Sequence, residues 1–291
     1  MNPHTSRVMA AIGVLILGLS VPSAAQQGRP ARTAAGCPLE PLQFQTCAKP
    51  KLGTFKPPLT PEGRPDMQGF WERTVASQEI EEHLAGYGRG AGPSLVLDTP
   101  DRKIPYQPWA LEFRKGMDER FKSPMSGCYP TGAPRHVYAP SGRRIVQTAG
   151  YLLFLLEYSH SYRIISTNPR PHLAKDVALW NGDSVGHWEG NTLVVDVTNQ
   201  NGRTWFDNAG NFYSDALHVG ERFTLMDADT IHYEARIEDP KVYTRPWTMA
   251  FALVRDTEPG NELLEEACLE GSRVISNDAL KPYRGPVIPR N

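Results

Sequence analysis

Residues 183–198 read DSVGHWEGNTLVVDVT, and this stretch decides the fold class. Gly190 and Asn191 form a two-residue loop with glycine first, which is typical of a tight hairpin turn. The turn pairs Glu189 with Thr192, and residue types alternate along both arms. The stretch is therefore predicted to be an antiparallel β-hairpin with one polar and one apolar face.

Strand patterns of this kind fill the chain from Arg143 to Arg255. Strands do not alternate with helices and no repeat of fixed period occurs, which argues against a parallel α/β sheet and a solenoid. We predict a mainly β fold, an antiparallel curved sheet or barrel. The eight predicted strands are 144–147, 152–158, 162–166, 186–189, 192–198, 217–225, 231–237 and 247–254.

One amphipathic helix is predicted outside this strand-rich region. Trp109, Phe113, Met117 and Phe121 recur at a spacing of four residues and follow Pro108, a residue that suits the first turn of a helix. Long helices are not expected elsewhere, because the 291 residues include 25 Gly and 26 Pro.

The charge and composition limit the functional class. The net charge is −1, and a nucleic-acid-binding domain would normally carry a basic surplus, so we predict no nucleic-acid partner. Apolar residues make up 40% of the chain and charged residues 22%, which is enough apolar material for a packed core.

The first 25 residues have the pattern of a cleaved signal peptide. Arg7 precedes an apolar run over 8–21, and Ser23 and Ala25 supply small residues at the cleavage site. The run of 14 residues is shorter than the roughly 20 that span a bilayer, so no stable membrane anchor is expected after cleavage. The mature protein is predicted to be periplasmic or secreted.

We expect three parts after the signal peptide. Residues 26–63 are rich in Pro, Gln, Thr and Lys and are predicted to be an irregular lead-in segment. Residues 64–280 form a single β domain, and residues 281–291 form a C-terminal tail. The oligomeric state is left open.

The four cysteines, an even number in an exported chain, suggest two disulfide bonds. Three pairings are possible, and we favour Cys37 with Cys47 and Cys128 with Cys268. The first would be a local clip in the lead-in, and the second would tie the start of the main domain to its end. No C-x-x-C pair is present, so a structural zinc site is not expected.

Several segments carry a resemblance to known families. Gly69-Phe70-Trp71, on a possible first strand, and residues 188–195 (WEGNTLVV) resemble parts of the calycin barrels, which include lipocalins and fatty-acid-binding proteins. Residues 180–198, with 163–165 (RII), 217–223 (LHVGERF) and 238–240 (EDP), are similar to a broad family of exported bacterial proteins. The first resemblance implies a lipocalin-like barrel. The second implies a shared fold and a bacterial origin, and it implies no particular reaction.

Glu221 is the strongest candidate for a functional carboxylate. By period two it shares a face with Val219 and Phe223, and pairing Leu225 with Ile231 places it opposite the small Ala235. A buried carboxylate must be hydrogen-bonded, ion-paired or protonated. An ion pair with an arginine is one interpretation, and a cavity-lining acid or base with a shifted pKa is the other.

Four further side chains are candidates for proton transfer. Asp183 and His187 lie on the polar face of the central hairpin, which faces either solvent or a polar cavity. His218 lies on the same predicted strand as Glu221, 217–225. Glu157 is predicted to pair with Tyr162 near a turn, where it is either exposed or functional. Arg163 falls on the opposite face from Glu157, so a different group must neutralise it.

Aromatic side chains supply the candidate ligand-binding residues. Tryptophans usually fill a core, but a barrel mouth lined by aromatic rings suits a flat apolar ligand. The candidate ligand-binding residues are Trp205, Phe206, Tyr213 and Tyr162.

No cofactor or metal is predicted. The sequence has no nucleophile elbow, P-loop, dinucleotide fingerprint or H-E-x-x-H motif, and no two histidines have helical i, i+4 spacing. A metal held by His187 and His218 with a carboxylate is the alternative.

Two functions from different classes follow. The first is a binding protein for a small apolar or aromatic molecule, in which Glu221 orients the ligand. The second is a cofactor-free lyase, isomerase or dehydratase, in which Glu221 or His218 takes a proton and Asp183, His187 or Glu157 returns one. An envelope protein with an interaction surface and no ligand is a third possibility. The second requires that titratable groups converge in one pocket.

Overall fold

The computed structural model describes residues 33–75, 79–82, 92–268 and 281–289. The predicted signal peptide and the first residues of the predicted lead-in segment lie outside these ranges. Within them the fold is mainly β, as predicted, and its centre is a closed barrel of nine strands. None of the helices in the described ranges is long and apolar enough to cross a membrane.

The barrel strands agree closely with the eight predicted segments and add the possible first strand at Gly69. Short strands occur outside the barrel: β1 (Thr33–Ala34), β2 (Cys37–Pro38), β4 (Phe121–Lys122) and β13 (Lys281–Pro282). The barrel strands are β3 (Gly69–Arg73), β5 (Arg143–Thr148), β6 (Tyr151–Leu156), β7 (Tyr162–Ser166), β8 (Asp183–Glu189), β9 (Thr192–Thr198), β10 (His218–Leu225), β11 (Thr230–Glu238) and β12 (Trp247–Arg255).

The order around the barrel is β10-β11-β12-β3-β5-β6-β7-β8-β9, and β9 pairs with β10 to close it. The predicted registers of two hairpins are confirmed: Glu189 pairs with Thr192, and Glu221 pairs with Ala235. Every junction is antiparallel except that between β7 and β8, which is parallel. A parallel pair needs a long return connection, and residues 167–182 supply it.

Apolar side chains from most strands fill the barrel interior. Aromatic rings form a continuous series across it, because Phe223 lies between Phe154 and Tyr233, with ring centroids 5.4 Å and 4.9 Å away. Tyr233 continues the series to Phe251, whose ring centroid is 4.9 Å from its own. The interior is therefore a packed core for most of its length.

One end of the barrel is closed by two connecting segments. The short helix α4 (Arg135–Tyr138) is fully buried, and the Tyr138 hydroxyl donates to the carbonyl of Phe206 at 2.8 Å. Phe206 belongs to residues 199–217, which connect β9 to β10. The Tyr138 ring also packs edge-on against Phe251, with centroids 5.8 Å apart. The two connections thus extend the core beyond the strands.

The predicted helix from Trp109 to Phe121 is two shorter helices. The first is α2 (Pro108–Arg114), and the second is α3 (Met117–Arg120). Gly116 lies between them with φ +63°, a left-handed conformation that ends an α-helix and favours glycine. The apolar residues keep their helical spacing across Gly116, but the helical backbone is interrupted there.

The predicted lead-in segment contains a helix that sequence patterns did not indicate. Helix α1 (Pro41–Ala48) begins with proline in its first turn, and the Glu40 carboxylate accepts from the backbone N–H of Gln43 at 2.9 Å. Its buried residues Phe44 and Ala48 pack in one cluster with Met226, which follows β10, and with Ala252 of β12. Tertiary packing, rather than periodicity, stabilises this helix.

Both predicted disulfide bonds are confirmed. Cys37 bonds to Cys47, which joins β2 to α1, and Cys128 bonds to Cys268. None of the four cysteines is free. The second bond closes a loop of 140 residues, so it restricts the unfolded chain far more than the first.

Candidate functional site

The parallel junction between β7 and β8 has fewer paired residues than any other junction of the barrel, and we call it the seam. Only two residue pairs join the strands: Ile165 with Ser184 and Ser166 with Val185. Beyond these pairs, side chains replace the backbone ladder. The Asn181 side-chain amide donates to the carbonyl of Tyr162 at 3.0 Å, and Arg163 Nε donates to Ser184 Oγ at 3.0 Å.

A cavity of about 500 Å³ opens at this seam, and we call it the seam cavity. Its size is in the range typical of small-molecule sites. Side chains from β7, from the return connection 167–182 and from the start of β8 form most of its wall. The lining residues that the argument uses are Tyr151, Tyr162, Arg163, Ile164, Arg170, Leu179, Trp180, Asn181, Asp183 and Ser184.

The rim of the seam cavity is apolar although it faces outward. Tyr162 is 60% exposed, and three other large apolar side chains of the lining are also exposed: Tyr151, Ile164 and Leu179. Trp180 stacks on the exposed ring of Tyr129, with centroids 4.5 Å apart and planes at 12°. An exposed cluster of large apolar side chains beside a concavity is typical of a binding surface.

The inner wall of the cavity meets a buried ion pair. Arg163 and Glu221 are almost fully buried, and the guanidinium binds both oxygens of the carboxylate, with Nη1 at 3.0 Å from Oε1. The Tyr233 hydroxyl donates to Glu221 at 2.7 Å. This is the first of the two interpretations of Glu221, an ion pair with an arginine.

Arg163 and Tyr233 both keep their protons beside Glu221. Burial alone would lower the pKa of Arg163, but the charge of Glu221 and its hydrogen bond raise it, so the guanidinium stays charged. Burial raises the pKa of Tyr233 well above its ordinary value, and the charge of Glu221 adds to the effect. The phenol therefore remains a hydrogen-bond donor to the carboxylate.

A second polar network lies on the outer face of the same seam. Asp183 binds Arg170 through both carboxylate oxygens, at 2.5 Å and 2.9 Å, and accepts from His172 Nδ1 at 2.9 Å. His172 Nε2 lies 2.8 Å from Asp196, which also binds His218. The His172 ring thus lies between the two carboxylates, with one ring nitrogen at hydrogen-bond distance from each.

The network keeps Asp183 ionised and fixes the return connection. Burial opposes ionisation of Asp183, but hydrogen bonds from Arg170, the Leu173 backbone and His172 lower its pKa to about 2. The pKa of Asp196 is also lowered, since hydrogen bonds from His218 and His172 outweigh its burial. The wall segment that carries Trp180 is thereby attached to β8 and β9.

The five candidate acid–base residues do not converge. Among them, Asp183 lines the seam cavity and Glu221 lies behind Arg163 in the interior. His187 is exposed and contacts Glu189 on the outer face, and His218 contacts Asp196 there. The polar face of the central hairpin is thus mainly solvent-facing.

Glu157 takes a structural position at the barrel end. Its carboxylate accepts from the backbone N–H groups of Gly142 at 3.2 Å and Leu264 at 3.0 Å. The predicted pairing with Tyr162 is wrong: Tyr162 pairs with Leu155, because the chain after β6 turns through a 3₁₀-helix over Tyr158–His160. A shift of two residues leaves the predicted faces unchanged.

The candidate ligand-binding aromatics divide between two places. Trp205, Phe206 and Tyr213 are buried in the closed barrel end, where Phe206 packs on Tyr213 with ring centroids 4.8 Å apart. They fill the core instead of lining an open mouth. Tyr162 lies on the rim of the seam cavity.

Sequence reasoning missed the residues of the return connection and the partner of Glu221. Arg170, His172 and Trp180 lie in a segment without periodicity, so no pattern marked them. Arg163 did carry a signal, since period two places it on an inward face without a partner. Matching it to Glu221 requires the barrel order, because β8 and β9 separate their strands.

Within the described ranges, no group of three or more His, Cys, Asp or Glu residues is arranged to hold a metal ion. His187 and His218 contact different carboxylates, Glu189 and Asp196. The four cysteines are occupied in disulfide bonds.

No protein-family model, curated protein or solved structure matches the chain. The candidate site therefore rests on the geometry of this chain.

Proposed function

We propose that this protein binds a small, largely apolar or aromatic molecule in the seam cavity. The observation that carries the proposal is the coincidence of a cavity of about 500 Å³ with four exposed large apolar side chains, Tyr151, Tyr162, Ile164 and Leu179. Burial of such side chains against a ligand contributes roughly 25 cal/mol for each Å² of apolar surface removed from water.

The wall of the cavity supports binding because hydrogen bonds from the protein's own side chains hold it in place. Asn199 donates from its side-chain amide to the carbonyls of Ala174 at 2.8 Å and Val177 at 2.9 Å, and the Asp183 network holds Arg170 and His172. A preformed wall reduces the ordering cost of binding.

Acid–base catalysis has less support from the same geometry. Of the five candidate residues, Asp183 alone lines the cavity, and its low pKa of about 2 makes it a poor proton acceptor near neutral pH. The two disulfide bonds suit an oxidising compartment, which supports the proposal that the protein is exported.

The test uses N-phenyl-1-naphthylamine, an uncharged aromatic probe whose fluorescence rises in apolar surroundings. We expect saturable binding by the unmodified protein, weakened about tenfold by Tyr162→Ala and by Trp180→Ala through the loss of aromatic contact. Leu111→Ala is the matched control, because Leu111 is 50% exposed and lies on α2, outside the cavity lining. Absence of saturable binding, or equal binding by all variants, would contradict the proposal.

A further inference from the structure

We infer that the occupant of the seam cavity is an uncharged molecule with a hydrogen-bond acceptor, and that Arg163 and Ser184 bind this acceptor. The inference rests on the proposed function and adds the ligand class and two specificity-determining residues. It follows from the charges and the hydrogen-bond donors that line the cavity.

The arginine and aspartate charges at the cavity are already paired. Arg163 is neutralised by Glu221, which it binds through both carboxylate oxygens, and Arg170 is neutralised in the same way by Asp183. A ligand carboxylate would lose its hydration without meeting an unpaired cation, and a ligand cation would meet no unpaired carboxylate. A charged ligand is therefore disfavoured relative to an uncharged one of the same shape.

The other titratable groups near Arg163 add no unpaired charge to the cavity. His136 is fully buried, and burial with the charges of Arg163 and Arg143 lowers its pKa to about 3, so it is neutral. Tyr233 is a protonated donor to Glu221. His160 lies at the exposed rim of the cavity and is the remaining titratable imidazole among the lining residues.

Arg163 and Ser184 at the inner wall have hydrogen-bond donors that the protein does not fully use. Arg163 uses Nε on Ser184 and one N–H of each terminal nitrogen on Glu221, which leaves guanidinium N–H groups without a partner in the described part of the chain. Ser184 Oγ accepts from Arg163, so its own hydrogen remains available to donate.

Two side chains of the wall that carry acceptor oxygens, Asp183 and Asn181, already accept hydrogen bonds from the protein. The oxygens of Asp183 accept from Arg170, from His172 and from the backbone N–H of Leu173 at 3.0 Å. The Asn181 side-chain oxygen accepts from the backbone N–H of Gly132 at 3.1 Å. A ligand carbonyl or ether oxygen would satisfy the free donors, whereas a ligand donor would find few partners at the inner wall.

The experiment compares three naphthalenes of similar shape as competitors of bound N-phenyl-1-naphthylamine. They are 2-acetylnaphthalene, with a carbonyl acceptor; 2-naphthoate, with a negative charge; and 2-ethylnaphthalene, with neither. Measurements are made at about pH 8, above the ordinary titration range of histidine. We expect 2-acetylnaphthalene to bind about tenfold more tightly than either of the others, the value of one well-placed hydrogen bond.

Two variants test which residues determine the order of the three affinities. Ser184→Ala should weaken 2-acetylnaphthalene about threefold and leave 2-ethylnaphthalene unchanged, because one donor to the carbonyl is lost. Glu221→Gln leaves Arg163 without a counter-charge, so it should raise the affinity for 2-naphthoate relative to the ketone by about tenfold. If Glu221→Gln does not fold, the affinities measured with Ser184→Ala test the inference by themselves.

Glu189→Gln is the matched control, because it removes a glutamate that pairs with an arginine on the outer face, away from the cavity. It should leave all three affinities unchanged. The inference is overturned if the probe binds at the cavity but 2-naphthoate or 2-ethylnaphthalene competes as well as the ketone, or if Ser184→Ala does not alter the order. If the probe itself does not bind, the proposed function fails and the inference fails with it.

Discussion

Two arginine–glutamate pairs in this barrel use adjacent residues of β10 and lie in opposite environments. Glu221 points inward to Arg163, and the two side chains are 0% and 1% exposed. Arg222 points outward to Glu189, and those side chains are 44% and 49% exposed. The chemistry of the two pairs is the same, and the alternation of a β-strand alone places one in the core and the other in water.

The difference shows what burial does to an ion pair. The inner charges lose their hydration, so each depends on the other and on the hydrogen bonds from Tyr233 and to Ser184. The outer charges keep their hydration and gain little from each other. The inner pair therefore determines a fixed arrangement behind the seam cavity, and the outer pair is a surface contact.

Removal of one inner charge should have the largest effect. Glu221→Gln leaves the Arg163 guanidinium buried without a counter-charge, and we expect a loss of about 3 to 5 kcal/mol in the free energy of unfolding. Urea denaturation of the unmodified and variant proteins measures it. A loss below about 1 kcal/mol would mean that the interior admits water to the guanidinium and that the pair behaves like the outer one.

Removal of both inner charges should cost less than removal of one. We expect the double variant Arg163→Met with Glu221→Leu to be about 2 kcal/mol more stable than Glu221→Gln, since no charge remains buried. It should not reach the stability of the unmodified protein, because Tyr233 and Ser184 lose their partners. The same urea series gives the comparison, and a double variant less stable than the single one would contradict this account.

The pair of Asp183 with Arg170 lies between the inner and outer pairs in exposure, since the Asp183 carboxylate is buried and Arg170 is partly exposed. The Asp183 pKa of about 2 lies below the ordinary value of 3.8, so its stabilising contribution is complete above about pH 4 and is lost as the pH falls towards 2. Asp183→Asn should cost about 1 to 2 kcal/mol at neutral pH, after allowance for solvent screening at Arg170.

The pH dependence separates this effect from a change of packing. The difference between Asp183→Asn and the unmodified protein should shrink as urea midpoints are measured from about pH 5 down to 2. A difference that stays constant over this interval would show that the charge of Asp183 is not the cause.

Removal of the outer pair should have the smallest effect. The Glu189 side chain is freely hydrated, although hydrogen bonds from Arg222 and His187 lower its pKa. We expect no measurable change in unfolding for Glu189→Gln, at low or high salt, because exposed pairs are weak and screened. A loss as large as that of Glu221→Gln would remove the contrast between the two pairs.

The sequence by itself determined the strands, two hairpin registers and the inward direction of Glu221. These features depend on local rules: the Gly190-Asn191 turn sets the pairing of β8 with β9, and period two sets the face of each residue. Among the three possible arrangements, the sequence also favours the pairing of Cys128 with Cys268, which is confirmed.

Only the tertiary structure determined the seam, the buried ion pair behind it and the cavity that opens there. The parallel junction of β7 with β8, the match of Arg163 to Glu221 and the cavity wall from residues 167–182 all depend on how the barrel closes. The same holds for Trp205, whose burial follows from the folding of its connection over the barrel end. Periodicity says which way a side chain points, but the partner across a barrel interior is set by strand order and closure, which are properties of the whole chain.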